Sequence, residues 1–147
     1  MFVCTGNICR SPMAELVMKQ LVRKEGLDWV ILSAANTGDE VGNPVYPPVR
    51  ALLEARGISC KGKYSVQLRR EDYPNYDYFI GMDARNRRDM LRIFGGEPEN
   101  KVHLLLDYTD HPHEIADPWY TRDFRKAEAE INAGCAALLR TLRARDN

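Results

Sequence analysis

Short apolar runs rich in β-branched and aromatic residues alternate along this chain with longer stretches of helical period. That alternation restricts the fold more than any other feature. Candidate strands are Phe2 to Val3, Trp29 to Ser33, Asp77 to Met82 and Val102 to Leu106. The last three are nearly continuous apolar runs, as expected of strands covered on both faces. Between them, Met13, Leu16, Val17, Leu21 and Val22 form a helical stripe with Gly26 as its stop. Val49, Leu52 and Leu53 mark a second helix ending at Gly57, and Met90, Leu91 and Phe94 a third ending at Gly95-Gly96. Phe124, Ala127, Ile131, Cys135, Leu138 and Leu142 fall three or four apart on a long C-terminal helix. The pattern predicts a three-layer α/β fold, a parallel sheet with helices on both faces. The first strand would be central in such a sheet, yet only three residues precede Cys4, so either the strand is unusually short or a few residues are lacking ahead of it.

At 147 residues the chain is expected to form a single domain over 1–147 with a core that needs no staples. Lys plus Arg and Asp plus Glu number 21 each. A binder of nucleic acid that works by counterion release carries a basic excess, so that class is disfavoured. Four cysteines are too few for a disulfide scaffold of this size, which points to a reducing, cytoplasmic compartment. No apolar run approaches the roughly 20 residues that span a bilayer, and no signal peptide fits ahead of the first motif. A monomer without membrane partners is expected.

The chemistry concentrates in Val3-Cys4-Thr5-Gly6-Asn7-Ile8-Cys9-Arg10-Ser11-Pro12. This segment follows a strand and opens a helix, with Ser11 suited to the N-cap and Pro12 to the first turn. Backbone N–H groups of such a loop, beside the positive end of a helix, make a cradle for a tetrahedral oxyanion. Gly6 and Asn7 are the residue types that most readily accept a left-handed backbone. Arg10 offers a planar fork for two phosphate oxygens. Cys4, at the other end of the ring, would have its thiolate stabilised by the amides and the Ser11 hydroxyl, and would be a nucleophile aimed at phosphorus. The plainer alternative is a buried structural cysteine and a surface arginine, but the glycine, asparagine, Ser-Pro and strand-loop-helix setting all agree against it.

From Cys4 to Glu15 the sequence resembles the phosphate-binding loop of the low-molecular-weight protein tyrosine phosphatases, Cys-x-Gly-Asn-x-Cys-Arg-Ser-Pro-x-Ala-Glu, with every fixed position present. Further matches are Ser33-Ala34-Ala35, the Gly42 to Arg50 segment, Met82-Asp83 with Asn86, Asp107-Tyr108 and Asp117-Pro118-Trp119-Tyr120. The resemblance implies a four-stranded parallel sheet of flavodoxin-like winding and hydrolysis of protein phosphotyrosine through a phosphocysteine, with neither metal nor cofactor. It implies Cys4 as nucleophile and Arg10 as phosphate clamp, within a phosphate-binding loop of Thr5, Gly6, Asn7, Ile8, Cys9 and Arg10. Asp117 would be the general acid, then the base that activates water; read without the resemblance it is equally a turn or helix-start aspartate. Pro118 holds it in extended backbone. Trp119 and Tyr120 would be the aromatic wall against the substrate ring; otherwise they are core or surface aromatics. Asn7 and Ser33 would brace the loop, supported by Ser11, although Ser33 also reads as a strand-end hydroxyl. Cys9 would protect Cys4 by forming a disulfide with it after oxidation; its plainer role is to fill space beneath the loop.

The sequence also departs from the family. Asp39 stands where some members carry a tryptophan on the substrate-facing loop, so one hydrophobic wall is expected to be missing. Lys63-Tyr64-Ser65-Val66 replaces the family's His-x-Ala-Arg-like run before Gln67-Leu68, which weakens any inferred support from that segment. His111 and His113 in a polar loop read as solvated rather than as metal ligands. Arg85, Arg87 and Arg88, balanced by Asp83 and Asp89, read as the wet face of a helix. Cys60 and Cys135 read as buried thiols.

Three other functions fit parts of the pattern. A thioredoxin-coupled arsenate reductase shares the loop but needs resolving thiols, and Ala84 to Phe94 holds no cysteine. A non-catalytic oxyanion-binding module would not need both Cys4 and Asp117. Protein-arginine phosphatases of the same fold carry threonine where this chain has Ile8, whose apolar side chain suits the flat ring of tyrosine.

Overall fold

The computed structural model describes residues 1–146. Its strands are β1 (Phe2–Cys4), β2 (Ser33–Ala35), β3 (Phe79–Gly81) and β4 (Val102–Leu104). All pair in parallel, in the order β2-β1-β3-β4. Its helices are α1 (Arg10–Lys24), α2 (Pro47–Ala55), α3 (Ala84–Phe94), α4 (Pro118–Thr121) and α5 (Phe124–Asp146), with 3-10 turns at Arg70–Asn75 and Leu105–Tyr108.

Strand side chains alternate between the faces of the sheet, and two apolar clusters record it. Phe2, Cys4 and Ile80 pack with Val17 and Met18 of α1 and with Ile131 and Leu138 of α5. Val3, Ala34, Phe79 and Val102 pack instead with Met90 and Phe94 of α3. The three layers follow from that division. The C-terminal end of β1 thereby opens toward α1, which is where Cys4 emerges.

Helix ends obey local chemistry. The Asp83 carboxylate accepts from the Asn86 amide at 2.9 Å to start α3, and Gly95 stops it in left-handed backbone at φ 71°. α1 runs out before Gly26 and α2 before Gly57, as the sequence leads one to expect.

Several expected boundaries move. β2 is not Trp29 to Ser33 but Ser33–Ala35, because β1 meets this segment only from Phe2 opposite Ser33 onward. Val30 and Leu32 are left exposed. The run Asp77 to Met82 contributes only Phe79–Gly81 to the ladder, and Val102 to Leu106 turns into 3-10 geometry after Leu104. Apolarity marks these segments as buried, whereas strand length is set by the partner's register. Among the described residues no helix is long and apolar enough to cross a membrane.

Candidate active site

Residues Cys4 to Arg10 form a tight ring between β1 and α1. Asn7 takes the left-handed conformation at φ 57°, while Gly6 does not. Glycine serves at position 6 for another reason. A Cβ there would lie 3.1 Å from the Glu40 side chain, so the loop approaches its neighbour closely. Among the described residues, the amides of Thr5, Gly6, Asn7, Ile8 and Cys9 donate to no protein acceptor, while the carbonyls of Cys4, Thr5, Ile8 and Cys9 all accept backbone bonds. Buried amides in folded proteins are nearly always paired, so a run of free donors marks a built anion cradle.

Ser11 is not the helix cap. α1 begins at Arg10 with Cys9 in the cap position, and Ser11 lies inside the first turn. Its Oγ is 3.0 Å from Cys4 Sγ, and its amide reaches the same sulfur at 3.4 Å. Asn7 Nδ2 donates to Ser11 Oγ at 2.7 Å and to Ser33 Oγ at 2.9 Å. With its oxygen occupied as acceptor, the Ser11 hydroxyl is free to donate to sulfur. Ser33 Oγ in turn donates to Glu15 at 2.7 Å, and Glu15 pairs with Lys19 at 2.7 Å and Lys63 at 2.9 Å.

Arg10 is 1% exposed, a burial that a guanidinium accepts only when paired. Nη1 donates to Asp83 Oδ2 at 2.6 Å and to the Ile115 carbonyl at 2.7 Å, and Nη2 is 3.4 Å from Asp117 Oδ2. Burial works against its charge, but Cys4, Asp83 and Asp117 together hold its pKa above the ordinary value. Its Nε has no hydrogen-bond partner among the described residues. Asp117 combines both readings of the sequence: one carboxylate oxygen starts α4 by accepting from the Trp119 amide at 3.0 Å, and the other faces Arg10. Burial, reinforced by the neighbouring Cys4, pushes the Cys9 thiol well above its ordinary pKa.

Above the ring lies a cavity of about 190 Å³, bordered by Cys4, Thr5, Ile8, Asp39, Asp117 and Trp119, with Tyr120, Cys9 and Gly6 also on its wall. Trp119 and Tyr120 form the aromatic side, both exposed. Asp39 and Glu40 add two carboxylates to the cavity wall.

The structure adds residues that motif reading alone did not assign. Ser65 Oγ donates to the Gly6 carbonyl at 2.8 Å, and the Val66 amide donates to Asn7 Oδ1 at 3.1 Å. With Lys63 on Glu15, the divergent 63–66 segment braces the loop after all. Asp89 balances the α3 arginines as expected, meeting Arg85 at 4.0 Å, but Asp83 does not. Asp83 serves Arg10, and Asp89 accepts from Asn36 at 2.7 Å besides meeting Arg92 at 3.4 Å. Asn86 donates to Asn36 at 2.9 Å and to Thr5 Oγ1 at 3.3 Å. His113 is paired with Glu130 and with the His111 carbonyl. Cys60 and Cys135 are buried, and burial raises both thiols, Cys135 to about 12.

Fold and site thus define a class: a doubly covered parallel sheet whose first strand delivers a cysteine and an arginine to one amide-lined ring. Residues 1–147 match the family model described as low molecular weight phosphotyrosine protein phosphatase, and the chain belongs to that family. The chain is 36% identical over 146 residues to the low molecular weight protein-tyrosine-phosphatase YfkJ of Bacillus subtilis, covering 97% of this chain and 94% of that one. The human low molecular weight phosphotyrosine protein phosphatase is 36% identical over 135 residues, covering 84% and 80%. The crystal structure of YfkJ superposes with a TM-score of 0.94 over 99% of this chain and 94% of that one at 35% identity. That of the Drosophila arginine phosphatase gives 0.88 over 96% and 95% at 29% identity.

Proposed function

We propose that this chain hydrolyses phosphotyrosine in proteins through a phosphocysteine intermediate, using neither metal nor cofactor. The observation that carries the reading is the ring itself: five amides without protein acceptors stand over a buried arginine whose Nε is likewise unpaired. Together they suit the equatorial oxygens of a phosphoryl group in transfer. The Cys4 sulfur, which receives the Ser11 hydroxyl and amide, attacks phosphorus. As the S–P bond forms and the P–O bond to tyrosine breaks, Asp117 gives its proton to the departing phenolic oxygen. A water then attacks the phosphocysteine, Asp117 takes its proton, and the S–P bond breaks to return the thiolate and inorganic phosphate. Trp119 and Tyr120 flank the aromatic ring. The four free thiols suit a reducing compartment, which supports a cytoplasmic site of action.

Cys4→Ser should abolish turnover and retain vanadate binding, and substantial residual hydrolysis would overturn the phosphocysteine step. Asp117→Asn should slow aryl phosphates with basic leaving groups by about 10²–10⁴-fold and spare those with acidic ones. An equal loss across the leaving-group series would remove Asp117 from the acid role.

A second reading, protein-arginine phosphatase, draws on the carboxylates of Asp39 and Glu40, which would complement a guanidinium. Ile8 on the cavity wall favours the aryl substrate. Hydrolysis of a peptide panel bearing phosphorylated Tyr, Ser, Thr or Arg decides between them. Arsenate reduction by thiol relay lacks a resolving cysteine on α3, where Ala84–Phe94 has none.

A further inference from the structure

Beside the catalytic cavity, a second and larger depression of about 400 Å³ runs along the start of α2. Ile8, Glu40 and Trp119 line both, so the two are lobes of one continuous surface with Trp119 as the ridge between them. Pro44, Val45, Tyr46, Pro47 and Ala51 form the outer lobe. The two prolines bring no N–H donors, and the charged groups at its rim are engaged with neighbours. Arg50 pairs with Glu54 at 2.8 Å, and Glu40 accepts from Asn43 at 2.6 Å. What remains at the centre is apolar and small-featured.

The groove is also held rigid. The Tyr46 amide donates to the Ile8 carbonyl of the catalytic ring at 2.9 Å. The Tyr46 hydroxyl accepts from Arg122 at 3.0 Å, and its ring lies 4.9 Å from that of Trp119. A preformed apolar wall loses little on binding, since few side chains must be ordered.

We propose that this groove is a subsite for an apolar side chain of the phosphoprotein substrate, carried within three residues of the phosphotyrosine. The inference rests on the phosphatase reading above. Its occupant follows from continuity with the catalytic cavity. A polypeptide anchored by its phosphotyrosine and leaving over the Trp119 ridge advances about 3.3 Å per residue. Its next residues therefore lie on the groove, where Arg50 is paired with Glu54 and Glu40 repels a further carboxylate, so a leucine-like side chain is the group that gains by burial there.

The test is kcat/KM for a series of phosphotyrosine peptides in which a single leucine or a single aspartate is walked from three residues before the phosphotyrosine to three after it. Each rate is normalised to that on p-nitrophenyl phosphate, which is too small to reach the groove. At one position leucine should exceed aspartate by about tenfold or more, the gain expected of burying such a side chain. Ala51 is on the exposed face of α2, so Ala51→Lys keeps the fold and, by obstructing leucine and attracting aspartate, should bring that ratio to one or below. A flat leucine profile in an enzyme that hydrolyses the peptides overturns the subsite alone. An unchanged leucine preference in Ala51→Lys overturns it as well. Failure to hydrolyse both the peptides and p-nitrophenyl phosphate brings down the phosphatase reading and this inference with it.

Discussion

Arg10 carries three duties through one guanidinium: it pairs with Asp83, holds the Ile115 carbonyl and faces Asp117. A lysine has its three donors on one nitrogen at the end of a flexible stem and cannot span contacts that Arg10 makes from Nη1 and Nη2 while also presenting a planar fork to phosphate. Arg10→Lys should therefore lower kcat/KM on phosphotyrosine peptides by at least about 10²-fold, and near-normal rates would show that the fork is not needed. Cys9 poses a different question at the same scale. Its burial and its neighbour Cys4 keep it protonated, and a protonated thiol attacks poorly. If Cys9 protects an oxidised Cys4, protection should become more effective as pH rises, because more of the attacking thiolate forms. The measurement is activity recovered by dithiothreitol after brief peroxide exposure at pH 6.5 and 8.5, in the wild type and in Cys9→Ser. Recovery that is equal in both proteins at both pH values would leave Cys9 with only a packing role.

At the level of elements, α5 approaches the 3-10 turn at Leu105–Tyr108 so closely that a Cβ on Gly134 would lie 2.5 Å from Leu105 Cγ. Two effects oppose each other in Gly134→Ala. Helix propensity favours alanine by about 1 kcal/mol, whereas overpacking a fixed neighbour costs about 1–3 kcal/mol. The contact falls on the branch point of a fully buried leucine, so the clash should win and thermal unfolding should shift down by a few degrees. A raised midpoint would show that Leu105 moves aside freely. The same elements show what the sequence could disclose. The helical periods of α1, α2, α3 and α5 and their glycine stops were legible because they arise from local spacing and backbone freedom. The loop from Cys4 to Arg10 was legible because its chemistry is contiguous. Strand ends were not, since Trp29 to Leu32 is as apolar as a strand yet meets β1 only at its last residue, whose carbonyl accepts from the Phe2 amide. Nor was the bracing by Lys63, Ser65 and Val66, whose contacts with Glu15, Gly6 and Asn7 link segments about fifty to sixty residues apart. Such pairings leave no periodic trace.

Across the whole molecule these braces join into one network. It runs from Cys4 through Ser11, Asn7 and Ser33 to Glu15, and from there to Lys19 and Lys63. It ties the catalytic ring, α1, β2 and the 63–66 segment to a single buried carboxylate. Burial alone would raise the Glu15 pKa, but hydrogen bonds from Lys19, Lys63 and Ser33 outweigh it and hold the carboxyl below its ordinary 4.5. A carboxylate depressed on folding binds fewer protons in the native state than in the unfolded one. Its contribution to stability is therefore complete above the ordinary carboxylate value and fades as pH falls through the lowered one. Glu15→Gln removes the charge from both lysines and should destabilise most near neutrality. The comparison is urea unfolding of wild type and Glu15→Gln at pH 7 and at pH 3.5. The wild type should hold the higher midpoint at pH 7, and the gap should narrow on acidification as its own carboxylate becomes protonated. A gap that widens in acid would mean that Glu15 is held by packing and not by its charge.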